Sequence, residues 1–113
     1  MLLPQGPANA RLMIVLDCVT YRDLQSNTIL NDREFDRMLS EAGINRNQCF
    51  ITALIREPVN GQNFEAQVAK AKREITPEHT SMWDKFVKPC VVRGLEGLRR
   101  DIDLVKPKII LTL

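Results

Sequence analysis

The sequence predicts an α/β fold built on a parallel sheet, and three observations predict it. Three short apolar runs, at residues 12–16, 49–55 and 108–113, have the length and composition of strands buried on both faces. Between them lie segments whose apolar residues recur every three or four positions, the mark of amphipathic helices. Strand, helix and strand in that order make a right-handed crossover, which sets neighbouring strands parallel.

The first run anchors the rest. It reads as a strand over about residues 11–16, preceded by an extended lead-in over 1–10 with Pro4, Gly6 and Pro7. Asp17 falls where that strand ends. Ligands of open parallel sheets bind beyond the carboxyl ends of the strands, so Asp17 is either a site carboxylate or a loop residue capping local amides. Residues 17–30 are mixed polar with no sustained period and read as a long loop forming one wall of the site.

A helix follows. Asn31 is the expected cap, Glu34 stands three residues on, and Phe35, Met38, Leu39 and Ala42 make one apolar stripe that Gly43 terminates. The second strand runs over 49–55, bounded after by Pro58, Asn60 and Gly61. Arg56 and Glu57 then fall on the same rim as Asp17, as site groups or as a paired, solvated turn. Phe64, Val68, Ala71 and Ile75 suggest a short amphipathic helix, and Thr76 with Pro77 looks like the cap of another. His79, the sole histidine, reads as a surface residue. Lys70, Lys72, Arg73, Lys85 and Lys88, with Trp83 and Phe86, read as a solvated helix surface with core aromatics or as a basic, aromatic face for single-stranded nucleic acid. A helix over 91–105 carries Val91, Leu95, Leu98, Ile102 and Val105 and stops at Pro107; its Gly94 and Gly97 weaken it or admit a close backbone. The last strand, 108–113, leaves a three-stranded sheet lacking a fourth.

Composition narrows the function classes. With 113 residues and 44% apolar content, the chain can bury one modest core and reads as a single domain over 1–113, or part of one. Sixteen basic and fourteen acidic residues leave +2, which by itself does not announce a nucleic-acid binder. Cys18, Cys49 and Cys90 form neither a CxxC pair nor an even set, the pattern of free thiols in a reducing cytoplasm. No run reaches the roughly 18 apolar residues of a membrane helix, and the first residues lack the features of a signal peptide, so no membrane partner is expected. Neither GxGxxG nor GxxxxGK[ST] occurs, which weighs against a nucleotide-binding domain.

Three segments taken together resemble the uracil-DNA glycosylase superfamily, most closely its iron-sulfur family of bacteria, archaea and phages. They are 6–15, opening Gly6-Pro7-Ala8-Asn9-Ala10; 35–52, with Ser40-Glu41-Ala42-Gly43-Ile44 and Phe50-Ile51-Thr52; and 102–110, with Val105-Lys106-Pro107-Lys108-Ile109-Ile110. The resemblance covers the first half of such a domain and implies a three-layer α/β/α fold around a central parallel sheet, here its amino-terminal portion. It implies DNA, single- or double-stranded, as partner, and hydrolysis of the base-sugar bond of a flipped uracil. Asp17 stands at the catalytic acid's position, but the family's Gly-Glu-Ala-Pro-Gly is Leu16-Asp17-Cys18-Val19-Thr20 here, without the glycines and proline.

Base contacts map onto Cys18, Ile29 and Ala53, where Ile29 replaces a stacking aromatic and Ala53 an asparagine that reads the base edge. Arg22, Arg56 and Glu57 map onto the DNA-facing rim. The family's cluster needs four cysteines, two before the first strand; residues 1–10 contain none and Arg56 stands at the third ligand's place, so no iron, other metal or cofactor is expected. The histidine-bearing second motif of the family has no counterpart in the chain. Two readings follow: a divergent or inactive glycosylase-like repair domain, or a non-catalytic module that binds DNA or a replication protein, with association with a phage polymerase as one form of it.

Overall fold

The computed structural model describes residues 1–59, 63–82 and 84–113. It is a mixed α/β fold with a parallel three-stranded sheet, three helices and a separate hairpin. The expected turn at Asn60 and Gly61, and Trp83, lie outside the described residues.

β1 (Leu12–Cys18) runs two residues beyond the expected end, because the ladder with β2 (Phe50–Ile55) continues to a Cys18 and Ile55 pair. Asp17 therefore stands within the last residues of the strand rather than after it. β5 (Ile109–Thr112) pairs with β1 on its other side, also parallel, giving the order β2-β1-β5. Alternation along the strands sends Ile14, Ile51 and Ala53 into one cluster with Val19, Ile29 and Leu39. Met13, Val15 and Phe50 enter another with Ala10 and Val105. Both faces of β1 and β2 are thus buried, as their unbroken apolar runs required.

The lead-in does more than extend. Ile51 and Gln5 exchange backbone hydrogen bonds at 2.7 and 2.9 Å, and Leu2 donates to the Arg56 carbonyl at 2.9 Å, so the segment seals the outer edge of β2 antiparallel. Gly6, at φ +107°, is required there: a Cβ would stand 2.0 Å from the Cys49 carbonyl oxygen.

The loop expected over 17–30 instead contains α1 (Tyr21–Ser26). Thr20 caps it, its hydroxyl accepting the Asp23 N–H at 3.2 Å while the Asp23 carboxylate accepts the Thr20 N–H at 3.3 Å. Six residues are too few to show a helical period, so the cap was its only signal. Asp23 is buried and also accepts the Asn31 N–H at 2.9 Å. α2 (Arg33–Glu41) begins one residue later than expected, capped by Asp32 rather than Asn31, with Gly43 at φ +74° after its end. Leu39 and Phe35 pack inward, but Met38 is 57% exposed.

The expected helix over 64–75 is absent. Two single 3₁₀ turns, Glu65–Gln67 and Lys72–Glu74, take its place. Val68 is drawn into an antiparallel bridge with Val87, and Ala69 and the Phe86 carbonyl bond at 2.9 Å, so backbone pairing across the chain displaces helical bonding. No helix follows Thr76 either. The His79 Nδ1 accepts the Thr76 N–H at 3.0 Å, closing a local turn that leads into β3 (Thr80–Met82), paired antiparallel with β4 (Lys85–Val87).

α3 (Pro89–Val105) starts two residues before the expected helix, with Pro89 in its first turn, and ends at Lys106 in a left-handed conformation. Gly94 explains how closely it docks: a Cβ there would lie 2.0 Å from the Leu54 carbonyl oxygen. No helix among the described residues is long and apolar enough to cross a membrane.

Candidate functional site

The parallel ladder brings the predicted rim together. Asp17 sits beside the Cys18 and Ile55 pair, and Arg56 and Glu57 continue β2 from the same end. The backbone carbonyl of Glu57 accepts the Cys18 thiol at 3.8 Å, which ties the two strand ends.

Each oxygen of Asp17 faces a backbone amide. Oδ1 accepts the Cys18 N–H at 2.7 Å and Oδ2 the Phe64 N–H at 3.4 Å. The carboxylate thus caps local amides and fastens the start of the 64–70 segment to the end of β1. It remains only partly buried.

Arg56 has a partner that sequence reading missed. Its guanidinium pairs with Asp101 of α3, and the Thr52 hydroxyl donates to the same carboxylate oxygen at 2.7 Å. Thr52 is fully buried and the two charged side chains are 14% and 10% exposed, so this is an interior network joining β2 to α3. Gly97 makes room for it, since a Cβ there would lie 3.3 Å from the Arg56 guanidinium. Arg56 Nε is buried without a hydrogen-bond partner among the described residues. The sequence held one clue: Gly94, Gly97 and Asp101 fall on one side of α3, an inward face for a carboxylate. Glu57 is exposed and pairs loosely with Arg93 at 3.7 Å, so the Arg56 and Glu57 corner is not a mutually paired turn.

A cleft of about 440 Å³ opens beside this network, lined among others by Arg56, Glu57, Cys90, Arg93, Gly97 and Arg100. A second, shallower one shares Glu57, Cys90 and Arg93. Asp17 lines neither.

The three positions mapped to base contacts are not gathered into a pocket. Ile29 and Ala53 are fully buried in the cluster around Ile14, and Cys18 is buried in a different one with Ile55, Val87 and Val91. Ile29 is pinned further, its N–H donating to the Gln5 side chain at 3.0 Å and its carbonyl accepting from Arg46. Arg22 is exposed on α1 and makes no ion pair among the described residues.

The thiols are all free. Burial, with the neighbouring Asp17 carboxylate adding to it, pushes the Cys18 thiol up to about 11, and burial raises Cys49 as well. Neither is poised as a nucleophile. Among the described residues, no three His, Cys, Asp or Glu side chains are grouped to hold a metal ion.

No protein-family model matches the chain, and no curated protein sequence matches it.

Proposed function

We propose that the chain is a uracil-DNA glycosylase-like domain, three-layered α/β/α, that binds DNA along the carboxyl rim of its sheet without excising bases. The observation that carries the reading is the placement of Asp17 at the carboxyl end of a parallel strand, on the same lip as Arg56 and Glu57. That is where open α/β sheets bind ligands. The layering is supported by the two clusters on opposite sheet faces, one holding Leu39 of α2 and the other Val105 of α3.

Loss of excision is supported by chemistry at the base contacts. A flipped base is held by stacking and by hydrogen bonds to its edge, and Ile29 and Ala53 provide neither and are closed off in the core. Asp17 retains a carboxylate, yet it lines neither of the two clefts beside Arg56 and Glu57. The proposal carries no iron-sulfur cluster, and visible cluster absorbance with stoichiometric iron in the purified protein would overturn that part. The free thiols support a cytoplasmic location.

The test uses single- and double-stranded oligonucleotides containing uracil, with alkaline cleavage of abasic sites, for wild type and Asp17→Asn. The expected result is no cleavage together with DNA binding that weakens as salt rises. Cleavage by wild type that Asp17→Asn abolishes would establish the enzyme instead. Absence of both cleavage and binding would move the reading to a replication-protein partner.

A further inference from the structure

We infer that the cleft between the 64–70 segment and the β3–β4 hairpin takes an unpaired base of single-stranded DNA, held by Phe86 and Phe64 and flanked by lysines. The cleft measures about 620 Å³, within the roughly 300–1,000 Å³ of small-ligand sites. Phe64, Phe86, Lys70, Lys85, Glu65 and Asp84 line it.

Three features favour a nucleic-acid strand over a buried structural seam. Phe86 is 37% exposed although it lies on a strand whose next residue, Val87, is buried, so its ring is left at the surface. Lys70 and Lys85 line the cleft with the two rings, Lys72, Arg73 and Lys88 adjoin it in sequence, and none of the five makes an ion pair among the described residues. Glu74, the acid next to Arg73, is occupied by the Lys70 and Ala71 amides at 2.9 and 2.8 Å. Glu65 and Asp84 offset Lys70 and Lys85 inside the cleft, so the base enters by stacking, and the surrounding cations meet the phosphates. The cleft is rigidly framed: Val68 bridges to Val87, and the Lys88 N–H donates to the Gln67 carbonyl at 2.9 Å.

This site deepens the DNA-binding reading and rests on it for the identity of the partner, but not on Asp17 or on uracil. The experiment is fluorescence anisotropy with a labelled, uracil-free thymidine oligonucleotide across a salt series. Phe86→Ala is expected to weaken binding about 5- to 150-fold, the range for losing one stacked base. Phe86→Tyr, which keeps the ring, retains binding, while Phe86→Leu, which keeps only the apolar bulk, does not. Lys72→Gln, outside the cleft, lowers the slope of log affinity against log salt by about 0.7, and Phe86→Ala leaves that slope unchanged.

Equal affinity of Phe86→Leu and wild type, both shown folded by urea titration, overturns the cleft while leaving rim binding standing. No DNA binding by wild type overturns both. An oligouridylate RNA bound more tightly than the DNA, or thymidine monophosphate bound as tightly as the strand, overturns single-stranded DNA as the occupant.

Discussion

Removal of the Asp101 carboxylate tests how β2 and α3 are joined. Asp101→Ala leaves the Arg56 cation, 14% exposed, without its counter-charge, and the fully buried Thr52 hydroxyl without its acceptor. Breaking a buried pair from one side costs about 3–5 kcal/mol. The lost hydroxyl bond overlaps with that figure rather than adding to it, because one carboxylate oxygen serves both partners. Arg56 retains some access to water at its cleft, which places the expected loss near the lower bound, about 3 kcal/mol. With a urea slope of about 2 kcal/mol/M, the midpoint falls by about 1.5 M.

The informative partner is the triple variant Thr52→Val, Arg56→Met, Asp101→Leu, in which every polar member is replaced by an apolar side chain of similar size. It is expected within about 1 kcal/mol of wild type, since an apolar substitute avoids the desolvation cost that a buried pair must repay. A loss under about 1 kcal/mol for Asp101→Ala would refute an interior pair. A triple variant as unstable as the single one would show that the charges themselves hold the two elements together.

Other outcomes follow from close contacts and thiols. Gly94→Ala places a Cβ 2.0 Å from a backbone oxygen and is expected to cost about 3 kcal/mol or more by urea titration, against about 1 kcal/mol for Gly43→Ala, which meets open space at positive φ. Equal losses would show that α3 shifts freely. The Cys18 thiol is raised from an ordinary value of 9.0 to about 11 in the folded protein, so the folded state holds its proton longer. Stability from this group is complete below about pH 9 and fades as pH climbs toward 11, by on the order of 2 kcal/mol. Urea midpoints of wild type should therefore fall more steeply over that window than those of Cys18→Ala, and parallel curves would contradict it. With an aromatic disulfide reagent at neutral pH, the half-buried Cys90 should react first, and Cys18 and Cys49 only on unfolding.

β1 and β2 were legible because burial on both faces leaves an unbroken apolar run; β5 carries the same kind of run and was found by it, but it is exposed along its length rather than buried on both faces as expected. α2 and α3 were legible through period and caps, within one or two residues at their ends. Residues 64–82 were not. The spacing of Phe64, Val68, Ala71 and Ile75 fits a helix, but Val68 answers to Val87, and a bridge between distant residues leaves no local trace. α1 was missed within the expected loop: its Thr20 and Asp23 capping box went unnoticed, and the helix it starts is too short to carry a stripe. At the rim, strand direction was enough to put Asp17, Arg56 and Glu57 at one end of the sheet, although Asp17 lies inside β1 rather than after it. Asp101 was missed because it meets Arg56 from 45 residues away.

The sheet's two margins are unlike. The residues before β1 close the β2 side with their own backbone, whereas β5 has no neighbour on its outer side among the described residues and carries Ile109, Ile110 and Leu111 at 64%, 44% and 39% exposure. Among the described residues, strand addition to the three-stranded sheet is thereby directed to the β5 side, where the added strand would meet apolar side chains on arrival.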